Sequence, residues 1–153
     1  YFGDAAITMA IGKISDEDKA LIACSRDALY HAIDAIKPGM RFKELTKVLE
    51  DFIIGRGFVP LRDYCGHGIG TTPHSEPNIL NYLEGKAKQG PKIKNGMVFC
   101  LEPMICQKSG TPVLGDDKWS VLSEDGLRTS HYEHQVAVVD GIAIILTNPE
   151  QQR

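Results

Sequence analysis

Residues 45–61 read LTKVLEDFIIGRGFVPL, and the hydrophobic period changes inside this one stretch. Leu45, Val48, Leu49, Phe52 and Ile53 recur at the i, i+3, i+4, i+7, i+8 spacing that gathers apolar side chains on one face of a helix. Gly55 and Gly57 stand where a C-terminal cap is needed. From Phe58 onward the chain turns to short β-like runs punctuated by Gly, Pro and Asn, at 58–61, 97–101, 120–122, 133–139 and 142–147.

Upstream of this switch, residues 5–11 are apolar, partly β-branched and end at Gly12, which predicts a strand. Ser15 followed by Asp18 predicts a capping box opening a first helix, whose apolar face is Leu21, Cys24, Ala28, Ala32 and Ile36. Pro38-Gly39 stops it. Two long helices followed by a mainly antiparallel sheet make an α+β arrangement. Residues 81–95 and 107–117 read as surface loops, the second equally as a hairpin around Gly110 or Gly115. No repeat and no linker divides the chain, so residues 1–153 are expected to lie in a single domain.

At 153 residues, 42% hydrophobic and 24% charged, the chain can bury a real core. A net charge of -3 without blocks of like charge gives no footprint for nucleic acid or an acidic membrane. The nearest basic cluster, Lys86, Lys88, Lys92 and Lys94, is diluted by Gly and Gln and reads as a solvated loop. Cys24, Cys65, Cys100 and Cys106 form no CxxC pair, which suits a reducing, cytoplasmic setting. No apolar run approaches the roughly 18 residues of a membrane span, and a soluble protein is expected.

Asp4, His67, Glu102 and Glu133 each flank or fall within a predicted strand. A carboxylate on a run apolar enough to be buried must be hydrogen-bonded, paired or bound to metal. Together the four make a mixed oxygen and nitrogen set suited to divalent Mn, Fe, Co or Zn, and a poor structural zinc site. Singly each has a plainer reading: a Glu before Pro ends a strand, and a His beside Gly sits in a loop. Gly66, Gly68 and Gly70 either let the backbone approach a ligand or simply make turns. His74 either meets the same cleft or lies on a surface loop.

Three ordered motifs carry a resemblance. Cys65-Gly66-His67-Gly68-Ile69-Gly70 with His74-Ser75-Glu76-Pro77, then Gly96 to Met104 around Glu102-Pro103-Met104, then Tyr132-Glu133-His134, are similar to the signature series of type I methionine aminopeptidases. The resemblance runs from residue 1 to about Thr147. It implies a pita-bread (creatinase/aminopeptidase-like) fold holding a pair of divalent ions with two Asp, one His and two Glu. Matched residue by residue, the metal ligands here are Asp4, His67, Glu102 and Glu133, with Asp4 and Glu133 bridging. Glu102 doubles as the proton shuttle, and His74 hydrogen-bonds the scissile carbonyl. Trp119 matches a Trp near the pocket for the Met side chain, with an ordinary core aromatic as the alternative. The implied reaction is metal-assisted removal of an initiator Met from nascent chains, with peptide N-termini beginning in Met as partners and ribosome contact left open.

The chain departs from the family pattern in places. The family's first metal-binding Asp is expected upstream of Tyr1, so the resemblance implies a truncated pita-bread, the C-terminal portion of the domain. One ion is then expected to be held and a second weakly or not at all, and the activity of this chain by itself is left open. Phe2 stands where the family commonly has a His. Pro73 stands where an aromatic walls the Met pocket, which makes it a substrate-contact position of altered shape. Proline-specific relatives, aminopeptidase P and prolidase, carry Glu-Pro-Gly and Glu-Asp where this chain has Glu102-Pro103-Met104 and Glu133-His134. A further alternative is an inactive pita-bread module kept for binding.

Overall fold

The computed structural model describes residues 1–148. Two helices, α1 (Asp16–Ala35) and α2 (Phe42–Gly55), pack on antiparallel sheet. The strands are β1 (Ala5–Ala6), β2 (Val59–Pro60), β3 (Cys65–Gly68), β4 (Ser75–Leu80), β5 (Val98–Leu101), β6 (Met104–Cys106), β7 (Pro112–Leu114), β8 (Val121–Ser123), β9 (Thr129–His131), β10 (Glu133–Val139) and β11 (Ile142–Ile145). Six of them form a sheet in the order β1-β10-β5-β3-β4, with β11 beside β1 on the same edge of β10. β2, β6 and β9 make a second sheet, and β7 pairs with β8. The expected α+β class is what is found. Among the described residues no helix is long and apolar enough to cross a membrane.

Both helices form for the reasons visible in their sequences. Ser15 caps α1 by accepting from the backbone N–H of Asp18 at 3.0 Å. The reciprocal half of the expected capping box is replaced, because the Asp18 carboxylate pairs with Arg128 Nε at 3.3 Å instead. In α2 the box is completed at the other position: Glu44 accepts from the Arg41 N–H at 2.8 Å. Gly57, at φ +84°, ends α2 in a Schellman motif, with Gly57 N–H on Ile54 O and Phe58 N–H on Ile53 O.

The helix stripes bury Leu21, Cys24, Ala28, Leu49 and Ile53 against Phe99, Leu101, Val136 and Val138 of the sheet. Along β5 and β10 side chains alternate between faces. Phe99, Leu101, Val136 and Val138 therefore take the helix side. Cys100, Glu102, Glu133 and Gln135 take the other.

The expected strand at 5–11 is reduced to Ala5–Ala6. Beyond it the Thr8 hydroxyl takes over the ladder, donating to His131 O and accepting from His131 N–H, and Ile7, Met9 and Ile11 are exposed. β8 begins one residue later than the run expected at 120–122. The segment 107–117 resolves as the hairpin alternative, turning between Leu114 and Val121 around Gly115. Asp117 holds that turn by accepting from Trp119 N–H and Ser120 N–H. Residues 81–95 form the expected loop, although Ile93 is drawn fully into the core.

Candidate metal centre

Strand register assembles the four sequence-predicted ligands in one row. Gln135 pairs with Cys100, and His134 with Leu101, so one step further Glu133 stands opposite Glu102. Ala6 pairs with Glu133, which brings the turn of chain bearing Asp4 beside β10. Gly68 pairs with Phe99, which sets His67 across from Cys100. Directly opposed residues share a sheet face. All of these side chains consequently emerge on the face away from the helices.

His67 is at the centre. Its Nε2 lies 3.3 Å from Glu102 Oε1, 3.9 Å from Glu133 Oε1 and 3.9 Å from Asp4 Oδ2. The other ring nitrogen, Nδ1, is 3.1 Å from Gly68 O. A carbonyl only accepts, so Nδ1 carries a proton and Nε2 is the nitrogen turned toward the three carboxylates. A divalent ion among them would have Nε2 and the carboxylate oxygens as donors. A ring nitrogen held by a carbonyl behind it is how metal-binding histidines are oriented.

Glu133 is the most strained carboxylate of the set. Burial first, then the charges of Glu102 and Asp4, push its pKa up to about 7. Among the described residues the two buried side-chain atoms without a hydrogen-bond partner are Glu133 Oε1 and His131 Nε2. Both lie at this cleft. Burying such atoms unpaired costs on the order of 1–3 kcal/mol each, and a divalent ion removes the cost. The residues present fit such an ion: one imidazole and three carboxylates converge, with the carboxylates' donor chemistry suited to Mn, Fe, Co or Zn.

Two neighbours escaped sequence reasoning. Cys100 is fully buried, and its ligand atom falls within 4.8 Å of those of Asp4, His67 and Glu133. Burial, and secondarily Glu133, pushes its thiol well above the usual range, so it stays protonated and donates to Glu133. His131 Nε2 is 3.5 Å from Glu102 Oε2. The signal for both was the two-residue period of a strand: Cys100 precedes Glu102 by two, and His131 precedes Glu133 by two.

Gly66 and Gly68 of the first motif have a packing role. A Cβ on Gly66 would overlap Cys100 O, and one on Gly68 would overlap Glu76 O. They let β5 and β4 close in on both sides of His67. Gly70 has open space around it.

Of the expected substrate-side residues, His74 is brought to the centre: its ring stands edge-on to that of His67, with centroids 4.3 Å apart. Pro73 is exposed beside it. Trp119 is 86% exposed in the β7–β8 turn, outside the core cluster.

Comparison with known proteins agrees with this geometry. Residues 1–140 match the model of metallopeptidase family M24. The chain is 60% identical over 149 residues to a methionine aminopeptidase of Helicobacter pylori strain J99, covering 96% of this chain and 59% of that protein. It is 35% identical to methionine aminopeptidase 1 of Bacillus subtilis strain 168, covering 96% and 58%. The crystal structure of methionine aminopeptidase from Thermotoga maritima superposes with a TM-score of 0.91 at 35% identity, over 95% of this chain and 58% of that one. The fold is thus the pita-bread fold, and the chain spans less than two thirds of the relatives it matches. By the extent of the match, this chain belongs to metallopeptidase family M24.

Proposed function

We propose that this chain carries the metal centre of an aminopeptidase that removes N-terminal methionine from peptides. The observation that supports it is the convergence of His67 Nε2, whose ring is held from behind by Gly68 O, with oxygens of Asp4, Glu102 and Glu133 at 3.3–3.9 Å. These four side chains would hold one divalent ion. Bound there, it supplies a Lewis acid for the scissile carbonyl and a water acidified toward neutrality.

The chain's own residues do the rest. Glu102, 12% exposed, is near enough to solvent to take a proton from the attacking water and hand it to the leaving amine. Glu133 and Asp4 fix the ion from the β10 side, with Cys100 holding Glu133 in place. His74, against the His67 ring, offers an N–H to the oxygen of the scissile carbonyl. Pro73 and Trp119 are assigned to the approach of the methionine side chain. Glu102-Pro103-Met104 and Glu133-His134 favour methionine over the proline-specific relatives.

Release of Met from Met-Ala-Ser, set against cleavage of Xaa-Pro peptides, tests the proposal with Mn(II) or Co(II) supplied. Metal-dependent Met release that Glu102→Gln lowers by about 100-fold or more is expected. Cleavage of Xaa-Pro peptides alone would reassign the specificity. Metal binding without turnover of either would support a binding module instead.

A further inference from the structure

We infer that His134, clamped between the hydroxyls of Tyr30 and Thr147, is a positioning residue that sets Asp4 and Glu133 for the ion. This inference rests on the metal-centre reading above. His134 closes the third motif, yet its ring has no place in the cleft. It follows Glu133 on β10 and therefore points to the opposite, helix-facing side of the sheet. Val136 and Val138, which share that side of β10, are aliphatic and fully buried.

The buried ring is held at both nitrogens. Nε2 lies 3.1 Å from the Tyr30 hydroxyl on α1, and Nδ1 lies 2.9 Å from the hydroxyl of Thr147, just past β11. The Tyr30 ring stands edge-on to it, with centroids 5.6 Å apart. A neutral imidazole has one N–H to give and one lone pair to offer, and a hydroxyl can do either, so the two contacts satisfy the ring. A buried ring satisfied in this way is fixed in one orientation.

The clamp sits where the edge partner of β10 changes. β1 pairs with Glu133 and His134 and β11 begins its pairing at Val136, so Gln135 falls between the two strands. The Thr147 hydroxyl fills that gap by accepting from Gln135 N–H at 3.1 Å, beside the bond from Leu146 N–H to Gln135 O at 2.8 Å. His134 is also the ladder partner of Ala5, the residue after Asp4. Its backbone thus neighbours Glu133 along the strand and Asp4 across the ladder, whereas His67 and Glu102 are carried by β3 and the residue after β5. A slip of β10 against α1 would move Asp4 and Glu133 together, away from the other two. Metal–ligand distances hold within about 0.2 Å, so such a slip costs affinity.

The test is a calorimetric Mn(II) titration of the wild type, Tyr30→Phe, Thr147→Val and Thr46→Val, with urea unfolding of each metal-free protein. Thr46 is the control, because its buried hydroxyl ties α2 to Leu80 O of β4, a strand that carries none of the four ligands. Tyr30→Phe and Thr147→Val should each weaken Mn(II) binding by roughly tenfold, while Thr46→Val should leave it within about threefold at a comparable loss of urea stability. Unchanged affinity in both clamp variants, or an equal fall in Thr46→Val, would overturn the positioning role and leave the metal centre standing. A wild type that binds no Mn(II) would overturn both. Should the clamp variants fail to fold by circular dichroism, 15N NMR of the wild-type histidines decides. Two distinct ring-nitrogen signals for His134, one protonated and one bare, show a ring held as a single tautomer, and averaged signals would overturn the clamp.

Discussion

His67 Nε2 lies 3.3 Å from Glu102 Oε1 while its Nδ1 is tied to the carbonyl of the next residue. The imidazole is thus held with Nε2 facing the carboxylates. A cation bound there would join donors carried by the segment before β1, by β3, by the residue after β5 and by β10, so metal binding and folding are coupled at this site.

The same coupling sets a pH dependence. Glu133 has its folded pKa raised from 4.5 to about 7, so the folded chain binds a proton that the unfolded chain has lost between those values. Stability contributed by the protonated form is full below pH 4.5 and is lost as pH rises through 7. For the chelator-treated protein this amounts to on the order of 3 kcal/mol. Urea unfolding across pH 5 to 8 should show the decline, and Glu133→Gln or added Mn(II) should flatten it. An unchanged slope in Glu133→Gln would assign the dependence elsewhere.

Gly66→Ala and Gly68→Ala should each destabilise by about 1–3 kcal/mol, since the new methyl meets the backbone oxygen of a neighbouring strand. Gly70→Ala, with open space around it, should be close to neutral. Equilibrium unfolding of the three variants checks the ranking. Equal effects at all three would remove the packing explanation.

Phe99→Ala should cost about 3–5 kcal/mol, because its side chain is fully buried and stacks edge-on against Phe42 between helix and sheet. Ser15→Ala should cost about 1 kcal/mol through loss of the bond to Asp18 N–H. Calorimetric unfolding of both variants checks the ratio, and a larger loss at Ser15 would contradict the assigned core.

The helices were legible because each side of the argument was local: a stripe at helical spacing, a Ser at the start and Gly57 at the end. The strands were legible where they were apolar, as at 97–101, 133–139 and 142–147, in part at 58–61 and 120–122, and β3, β4, β6 and β9 were hidden. β3 is half glycine, and its glycines serve close strand approach rather than strand propensity. β4 holds Pro77 and exposed polar residues, which an edge strand tolerates because one side of its ladder is unpaired. The four ligands were named from motifs, whereas Cys100 and His131 were signalled by the two-residue strand period alone, and strand pairing is what brings them to the cleft. Trp119 was expected beside the substrate pocket on resemblance alone, and local hydrogen bonds of Asp117 fix where the turn carries it.

Replacing Asp4 probes the least buried ligand. Asp4→Asn should weaken the first metal ion by about 10- to 100-fold while leaving urea stability of the chelator-treated protein unchanged or raised, because it removes a charge that opposes ionisation of Glu133. A fall in metal-free stability instead would show Asp4 to be a structural residue.

Anomalous diffraction from crystals grown with Mn(II) reads the metal centre itself. The ion should appear about 2.0–2.3 Å from His67 Nε2 and in contact with oxygens of Asp4, Glu102 and Glu133. A well-diffracting crystal with no anomalous peak at His67, or with the manganese on other side chains, would contradict the assignment.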